Sequence, residues 1–199
     1  MPDVSPASSF AIDVPATLLA RARAGEAAAF EQLYRTFERP VFTLALRLTG
    51  KREEAQDVLQ ETMLKLFDRV AEFRGDSPFW GWLRQIAVNQ ALMQLRRRGR
   101  LSAEGEFDET DFSDANLLLP PRAADAAILG RAMEQLPDAT RSVLWLYHAE
   151  GYTHEEIAGA MGKSLSFSKS QLARGTRKLR GLLHLDTESL SPAGARVHG

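Results

Sequence analysis

Apolar residues recur along most of this chain at helical spacing. Phe30, Leu33, Tyr34 and Phe37 stand at i, i+3, i+4 and i+7, the stripe of an amphipathic helix. The pattern resumes at Val41, Leu44, Ala45 and Leu48, with Pro40 between the two runs. Proline removes a backbone donor, so a kink or a break is expected there. Thr49-Gly50 stops the helix, glycine being the usual residue just past a helix end. Val58, Leu59, Met63, Leu66, Phe67 and Val70 give the inner face of a third helix over residues 52–73. A loop, Arg74-Gly75-Asp76-Ser77-Pro78, separates it from a fourth helix over residues 78–97, which carries Leu83, Ile86, Ala87, Gln90 and Leu95. A short helix over residues 15–24 precedes all of these, Pro15 suiting its first turn.

The pattern fails over residues 99–122 and returns afterwards. Leu101 to Pro121 holds six acids and no Lys or Arg, and Pro120-Pro121 closes it, which reads as a flexible acidic linker. Four short helices follow. One spans residues 123–136 and the next 138–149. A capping box, Thr153-x-x-Glu156, opens the third. Gly162 makes a turn, and Ser164 or Ser166 caps the last, which runs to about residue 183. Leu165, Leu172 and Leu179 are expected to pack it against Ile157, Ala158 and Met161. The fold class is therefore all-α, with two small helical domains, at 15–98 and 123–184, joined by the linker. Residues 1–14 are expected to be a loose leader and 185–199 a disordered tail.

Composition narrows the chemistry. There is no cysteine, which excludes disulfides and thiolate metal sites. His148, His154, His184 and His198 are too scattered to suggest a metal site, and no cofactor is expected. No nucleophile–base pair or phosphate-binding glycine loop is visible, so an enzyme is not expected. No apolar run reaches the roughly 20 residues of a membrane helix, and residues 1–15 lack a secretory signal. The expectation is a soluble, cytoplasmic protein without membrane insertion. Net charge is only −1, but the signs are segregated, and that matters more than the sum.

Two stretches suit nucleic acid. Phe79, Trp80 and Trp82 open the fourth helix, and Arg96, Arg97 and Arg98 end it. Aromatic faces beside arginines are what single-stranded nucleic acid requires, since bases stack and guanidinium groups hold phosphates. Helical core at Trp82, Leu83 and Ile86 is the plainer alternative, and Asn89 is either a satisfied buried amide or a base reader. The second stretch is the helix-turn-helix pattern of the last two helices. Between Ile157 and Leu185 there are six Lys or Arg and no acid, the local sign of a phosphate-facing surface. Ser166, Ser168, Lys169 and Gln171 lie where a recognition helix reads base edges, and Arg174, Arg177 and Lys178 where it grips phosphates. On the third helix Asp57, Gln60 and Glu61 share one side. That face is either solvated or a docking surface for a basic partner helix.

Taken together these motifs resemble the sigma-70 family of bacterial RNA polymerase sigma factors, in its short extracytoplasmic-function (ECF) group. Asp57-Val-Leu-Gln-Glu61, Phe67, Phe73-Arg-Gly-Asp-Ser77, Trp82-Leu-Arg-Gln-Ile-Ala87, Asn89 and Arg96-Arg97 look like region 2. Leu136-Pro137, Arg141, Glu150-Gly-Tyr-Thr153, Glu155-Glu-Ile-Ala158, Met161-Gly162, Ser168-Lys-Ser170 and Arg174 look like region 4. The resemblance implies that the protein directs core polymerase to promoters. Glu53, Glu54, Asp57, Gln60 and Glu61 would bind the clamp helices of the largest subunit, and the second domain the flap of the second largest. Arg74, Gly75, Asp76, Ser77, Phe79, Trp80 and Asn89 would melt and read the −10 element, with Arg96, Arg97 and Arg98 on its backbone. Thr153, Ser166, Ser168, Lys169, Ser170, Gln171, Arg174, Arg177 and Lys178 would read the −35 element. The linker would occupy the RNA exit path. An anti-sigma factor or a regulatory kinase is a further expected partner. Lys51 and Gln56 stand where the family commonly has acids, and phosphorylation of Thr49 or Thr62 would restore negative charge there. Two other readings stay open: an autonomous helix-turn-helix repressor or activator, and an adaptor that binds no DNA.

Overall fold

The computed structural model describes residues 12–101 and 123–189, and among these every regular element is helical. Helix α1 spans Ala16–Arg23, α2 Ala27–Thr49, α3 Arg52–Arg69 and α4 Phe79–Arg97. A 3-10 turn, Val70–Glu72, closes α3. After the linker come α5 (Ala123–Glu134), α6 (Asp138–Leu144), α7 (His154–Met161) and α8 (Leu165–Ser189). A π-helical turn, Trp145–Ala149, prolongs α6.

Helices α2, α3 and α4 pack on one another, and α1 lies along α2 and the 3-10 turn. Helix α2 does not end at Pro40. Its buried stripe runs on through Leu33, Phe37, Val41, Leu44 and Leu48, and burying five such side chains at roughly 1.5–3 kcal/mol each outweighs one missing backbone bond. Gly50 then turns into the left-handed region at φ 73°, and its N–H returns to Leu46 O at 2.8 Å. In the second unit α5, α6 and α7 all pack on α8. The crossing with α6 is close because Gly175 has no side chain: a Cβ there would lie 2.5 Å from Leu144 Cδ1 and 2.6 Å from Thr140 Cγ2.

Several expected boundaries shift. The turn Gly99–Leu101 belongs to the first unit rather than to the linker, because Leu101 is buried and Arg100 is held by acids. Helix α8 continues past residue 185 to Ser189. Residues 1–11 of the expected leader (1–14), 102–122 of the expected linker (99–122) and 190–199 of the expected tail (185–199) lie outside the described residues. Among the described residues no helix is long and apolar enough to cross a membrane.

The two helical units also touch. Helix α6 packs on α2, and α7 packs on α4.

Candidate nucleic-acid interface and docking surface

Helix α3 divides its residues by face. Val58, Leu59, Thr62, Met63 and Leu66 turn inward, while Glu53, Asp57, Gln60 and Glu61 are exposed. Asp57 accepts a hydrogen bond from Gln94 Nε2 at 3.2 Å. Glu54 departs from the expected docking set. Its side chain is 1% exposed and receives Arg98 at 2.9 Å, Arg100 at 2.6 Å and Lys51 at 3.5 Å. A buried carboxylate is kept only where cations satisfy it, so Glu54 holds the 98–100 turn onto α3 and is closed to a partner. Phe67 departs in the other direction. Expected inside, it is 58% exposed, and Leu64 beside it is 56% exposed. With Phe30, Tyr34, Leu59 and Met63 they line an open groove of about 630 Å³ between α2 and α3. The signal for this groove was in the sequence, since Leu64 lies off the inward stripe.

Thr49 and Thr62 are fully buried. Each hydroxyl donates to a carbonyl four residues earlier in its own helix, Ala45 O at 2.9 Å and Val58 O at 2.7 Å. A hydroxyl so placed is a helix-internal donor and is closed to a modifying enzyme in this conformation. That is the opposite of the expected exposed bracket around the docking face.

Around the 74–78 loop, exposure and burial again separate residues that the sequence grouped. Arg74, Gly75, Asp76 and Ser77 are exposed. Phe79 and Trp80 are buried. Phe79 meets Phe37, Phe73 and Trp82 at 5.2–5.5 Å between ring centroids, and Trp80 stacks on Phe37 at 5.8 Å. Each ring buries on the order of 150–250 Å². The aromatic cluster therefore anchors the loop, and the expectation that Phe79 and Trp80 face a base is corrected. Trp82 is half-buried against Phe73. Asn89 is exposed, which leaves the base-reading alternative standing and removes the buried amide. The neighbouring Gln90 is the buried one, with Oε1 unpartnered by protein. Arg96, Arg97 and Arg98 are all exposed at the end of α4, though Arg98 is paired with Glu54 and Arg96 donates to Ala160 O at 3.0 Å.

The helix-turn-helix forms as expected. Thr153 Oγ1 accepts the Glu156 N–H at 3.2 Å and the Glu156 carboxylate accepts the Thr153 N–H at 2.8 Å, completing the capping box. Gly162 turns at φ 63°. Ser164 is the residue that caps α8, accepting the Phe167 N–H at 3.1 Å. Helical period then sorts the recognition helix. Ser168, Gln171, Leu172, Thr176 and Leu179 are buried, whereas Ser166, Lys169 and Arg177 are exposed and Ser170 and Arg174 half-buried. Ser168 Oγ lies 2.9 Å from His154 Nδ1, and Gln171 Oε1 accepts from Thr140 at 2.6 Å. Both expected base readers are thus committed to holding α8 on its neighbours. Lys178 Nζ donates to Gln135 O at 3.1 Å. Leu165, expected inside, is exposed, and Phe167 takes the inner position instead, under Lys163 at 5.6 Å. Lys163, in the turn, is an exposed cation that the sequence reading did not single out.

Two histidines and a tyrosine flank this unit. Burial lowers the His154 pKa, helped by the charge of Lys169, and burial alone lowers that of His148. Tyr152 is pushed up to about 12, chiefly by burial.

Comparison with known proteins agrees with this geometry. Sigma-70 region 2 matches residues 33–101 and Sigma-70 region 4 matches residues 126–179. The RNA polymerase sigma-H factor of Pseudomonas aeruginosa is 32% identical over 168 residues, covering 79% of this chain and 87% of its own. The ECF RNA polymerase sigma factor SigM of Mycobacterium tuberculosis is 31% identical, covering 84% of each. Among solved structures, the sigma factor RpoE in complex with the anti-sigma factor NepR from Bartonella quintana matches with a TM-score of 0.50. It is 26% identical and covers 79% of this chain and 98% of that one.

Proposed function

The chain belongs to the ECF sigma factors of RNA polymerase, and from that premise we propose how its residues share the work of directing core polymerase to a promoter. The docking surface for core polymerase is the exposed face of α3, Glu53, Asp57, Gln60 and Glu61, continued by the apolar groove at Leu64 and Phe67. Acids beside exposed apolar side chains offer a basic amphipathic helix both charge and burial, and the clamp helices of the largest subunit are the expected occupant. The exposed loop at Arg74–Ser77 and Asn89 read the −10 element, and Arg96 and Arg97 hold its backbone. Ser166, Lys169, Ser170, Arg174 and Arg177 face the −35 element in the major groove, with Lys163 and Thr153 at its border. Phosphate contacts there position the helix and base contacts specify the site. The second domain takes the flap of the second-largest subunit. The work is divided between two domains, 15–101 and 123–189. An anti-sigma factor is a partner of the kind seen with the solved relative. No catalytic step falls to this chain.

The observation that carries this reading is the charge segregation by face: an acidic docking face on α3, and a run from Ile157 to Leu185, through the turn and α8, with six Lys or Arg and no acid. The test is capture of purified core polymerase by the full chain, beside Asp57→Ala/Glu61→Ala. Wild type is expected to retain polymerase and the double variant to lose most of it. Equal retention would place docking elsewhere, and no retention by wild type would leave the helix-turn-helix to act alone.

A further inference from the structure

Helix α2 carries Arg39, Thr43 and Arg47 at i, i+4 and i+8, which puts two cations and a hydroxyl on one side of the helix. The two arginine backbones stand about 12 Å apart along its axis. Nothing on α2 neutralises them. The residues three and four away from Arg39 are Arg35, Thr36, Phe42 and Thr43, and those around Arg47 are Thr43, Leu44, Gly50 and Lys51. One turn earlier, Arg35 does have its acid, Glu31, at 2.5 Å. Among the described residues neither Arg39 nor Arg47 forms an ion pair, and the Thr43 hydroxyl has no hydrogen-bond partner.

All three line one cavity of about 380 Å³, within the roughly 300–1,000 Å³ of small-molecule sites. Pro40 and Leu44 give it an apolar wall, Trp80 of α4 lines it too, and Glu150 borders it from the second unit. Its polar groups are set in advance. Arg47 lies over the Trp145 ring at 4.7 Å, and stacking holds a guanidinium's plane while leaving the N–H donors at its edge available. The Glu150 carboxylate is already paired, with Arg84 at 3.2 Å. Trp80 is 6% exposed, and its indole N–H has no acceptor among the described residues. Its ring is stacked on Phe37 at 5.8 Å, so the N–H cannot swing away to find one. A buried donor without an acceptor is rare in native proteins and calls for a reason.

The chemistry of these groups points one way. Arginine and the indole offer donors and no acceptor, so the cavity suits a ligand that is anionic and rich in acceptor oxygens. One carboxylate has two oxygens and is satisfied by a single guanidinium fork. Two forks with a hydroxyl between them and an indole donor beside them match the larger oxygen set of a phosphate or diphosphate group.

We propose that this cavity binds a phosphorylated small molecule, of nucleoside diphosphate size or less. Its phosphate oxygens lie on Arg39 and Arg47, its uncharged part runs along Pro40 and Leu44, and one of its acceptors takes the Trp80 N–H. The site uses no residue assigned to polymerase docking or to either promoter element, so its failure and theirs are separate results.

The test is calorimetric titration of the full chain with adenosine diphosphate, pyrophosphate and adenosine at fixed ionic strength. Both phosphates are expected to bind in the micromolar range and adenosine not at all. Arg39→Gln/Arg47→Gln should weaken phosphate binding at least roughly tenfold. Arg21→Gln/Arg69→Gln removes the same charge from exposed ion pairs elsewhere and should leave it unchanged. Absence of phosphate binding by wild type overturns the site. Equal losses in the two double variants would reduce it to a general attraction of anions and overturn it as well, as would adenosine binding as tightly as its diphosphate. A single-stranded oligonucleotide held more tightly than either small phosphate, through the same arginines, would make this a nucleic-acid contact instead. If the double variant melts early, Arg39→Gln alone keeps Arg47 on Trp145 and carries the same comparison.

Discussion

Glu54 separates two readings of one helix, and its replacement by alanine tells them apart. The sequence places it with Glu53 and Asp57 as a residue that polymerase would touch. The structure buries it under Arg98, Arg100 and Lys51. Deleting one partner of a buried charge pair leaves the other uncompensated, at about 3–5 kcal/mol. Lys51 and Arg98 are 60% and 48% exposed, so both turn to solvent at little cost. Arg100, 22% exposed, is bound to both Glu54 oxygens at 2.6 and 2.7 Å, and Asp138 remains to it after the deletion. The expected loss is therefore near the low end, about 3 kcal/mol. Urea unfolding measures this as a lower midpoint at unchanged slope. Glu53→Ala, on the exposed side of the same turn, should stay within about 0.5 kcal/mol of wild type. If Glu54→Ala unfolds with Glu53→Ala and yet no longer captures core polymerase, the buried-hub argument is wrong and Glu54 is a docking residue.

Other outcomes follow from the same packing. Phe79→Ala should cost about 3–5 kcal/mol by opening the aromatic cluster, whereas Asn89→Ala should leave the melting curve in place and lower transcription from a −10-dependent promoter. Gly175→Ala should destabilise the second domain by about 1–3 kcal/mol, since the new methyl meets Leu144 and Thr140; an unchanged melting temperature would refute the close crossing. Thr62→Asp should lower the urea midpoint rather than raise polymerase capture, because it buries a charge where Thr62 now bonds its own helix. The folded pKa values of His148 and His154 lie below the usual imidazole value, so the unfolded chain binds more protons between the two values. Their contribution to stability is then full above about pH 6.5 and is lost as pH falls through that window. Urea midpoints measured from pH 7.5 downward should fall in wild type and fall less in His148→Gln/His154→Gln.

What the sequence determined by itself is local. Periodicity, the Thr153–Glu156 capping box and the glycines at Gly50 and Gly162 place eight helices and the turn between α7 and α8, because helix formation and its ends depend on neighbours within four residues. Order and spacing of motifs were enough for the family. What only the tertiary structure decided is which member of a polar or apolar set faces inward. Glu54, Thr62, Ser168 and Gln171 are polar residues on the edge of a buried stripe, and each is kept there by a partner the local sequence does not contain: Arg100, a helix carbonyl, His154 and Thr140. Phe67 and Leu64 are apolar residues that no later helix covers. The contact between the two units is the extreme case. Leu48 and Arg141, hydrogen-bonded across it, are 93 residues apart in the chain, so their pairing comes from how two finished units meet.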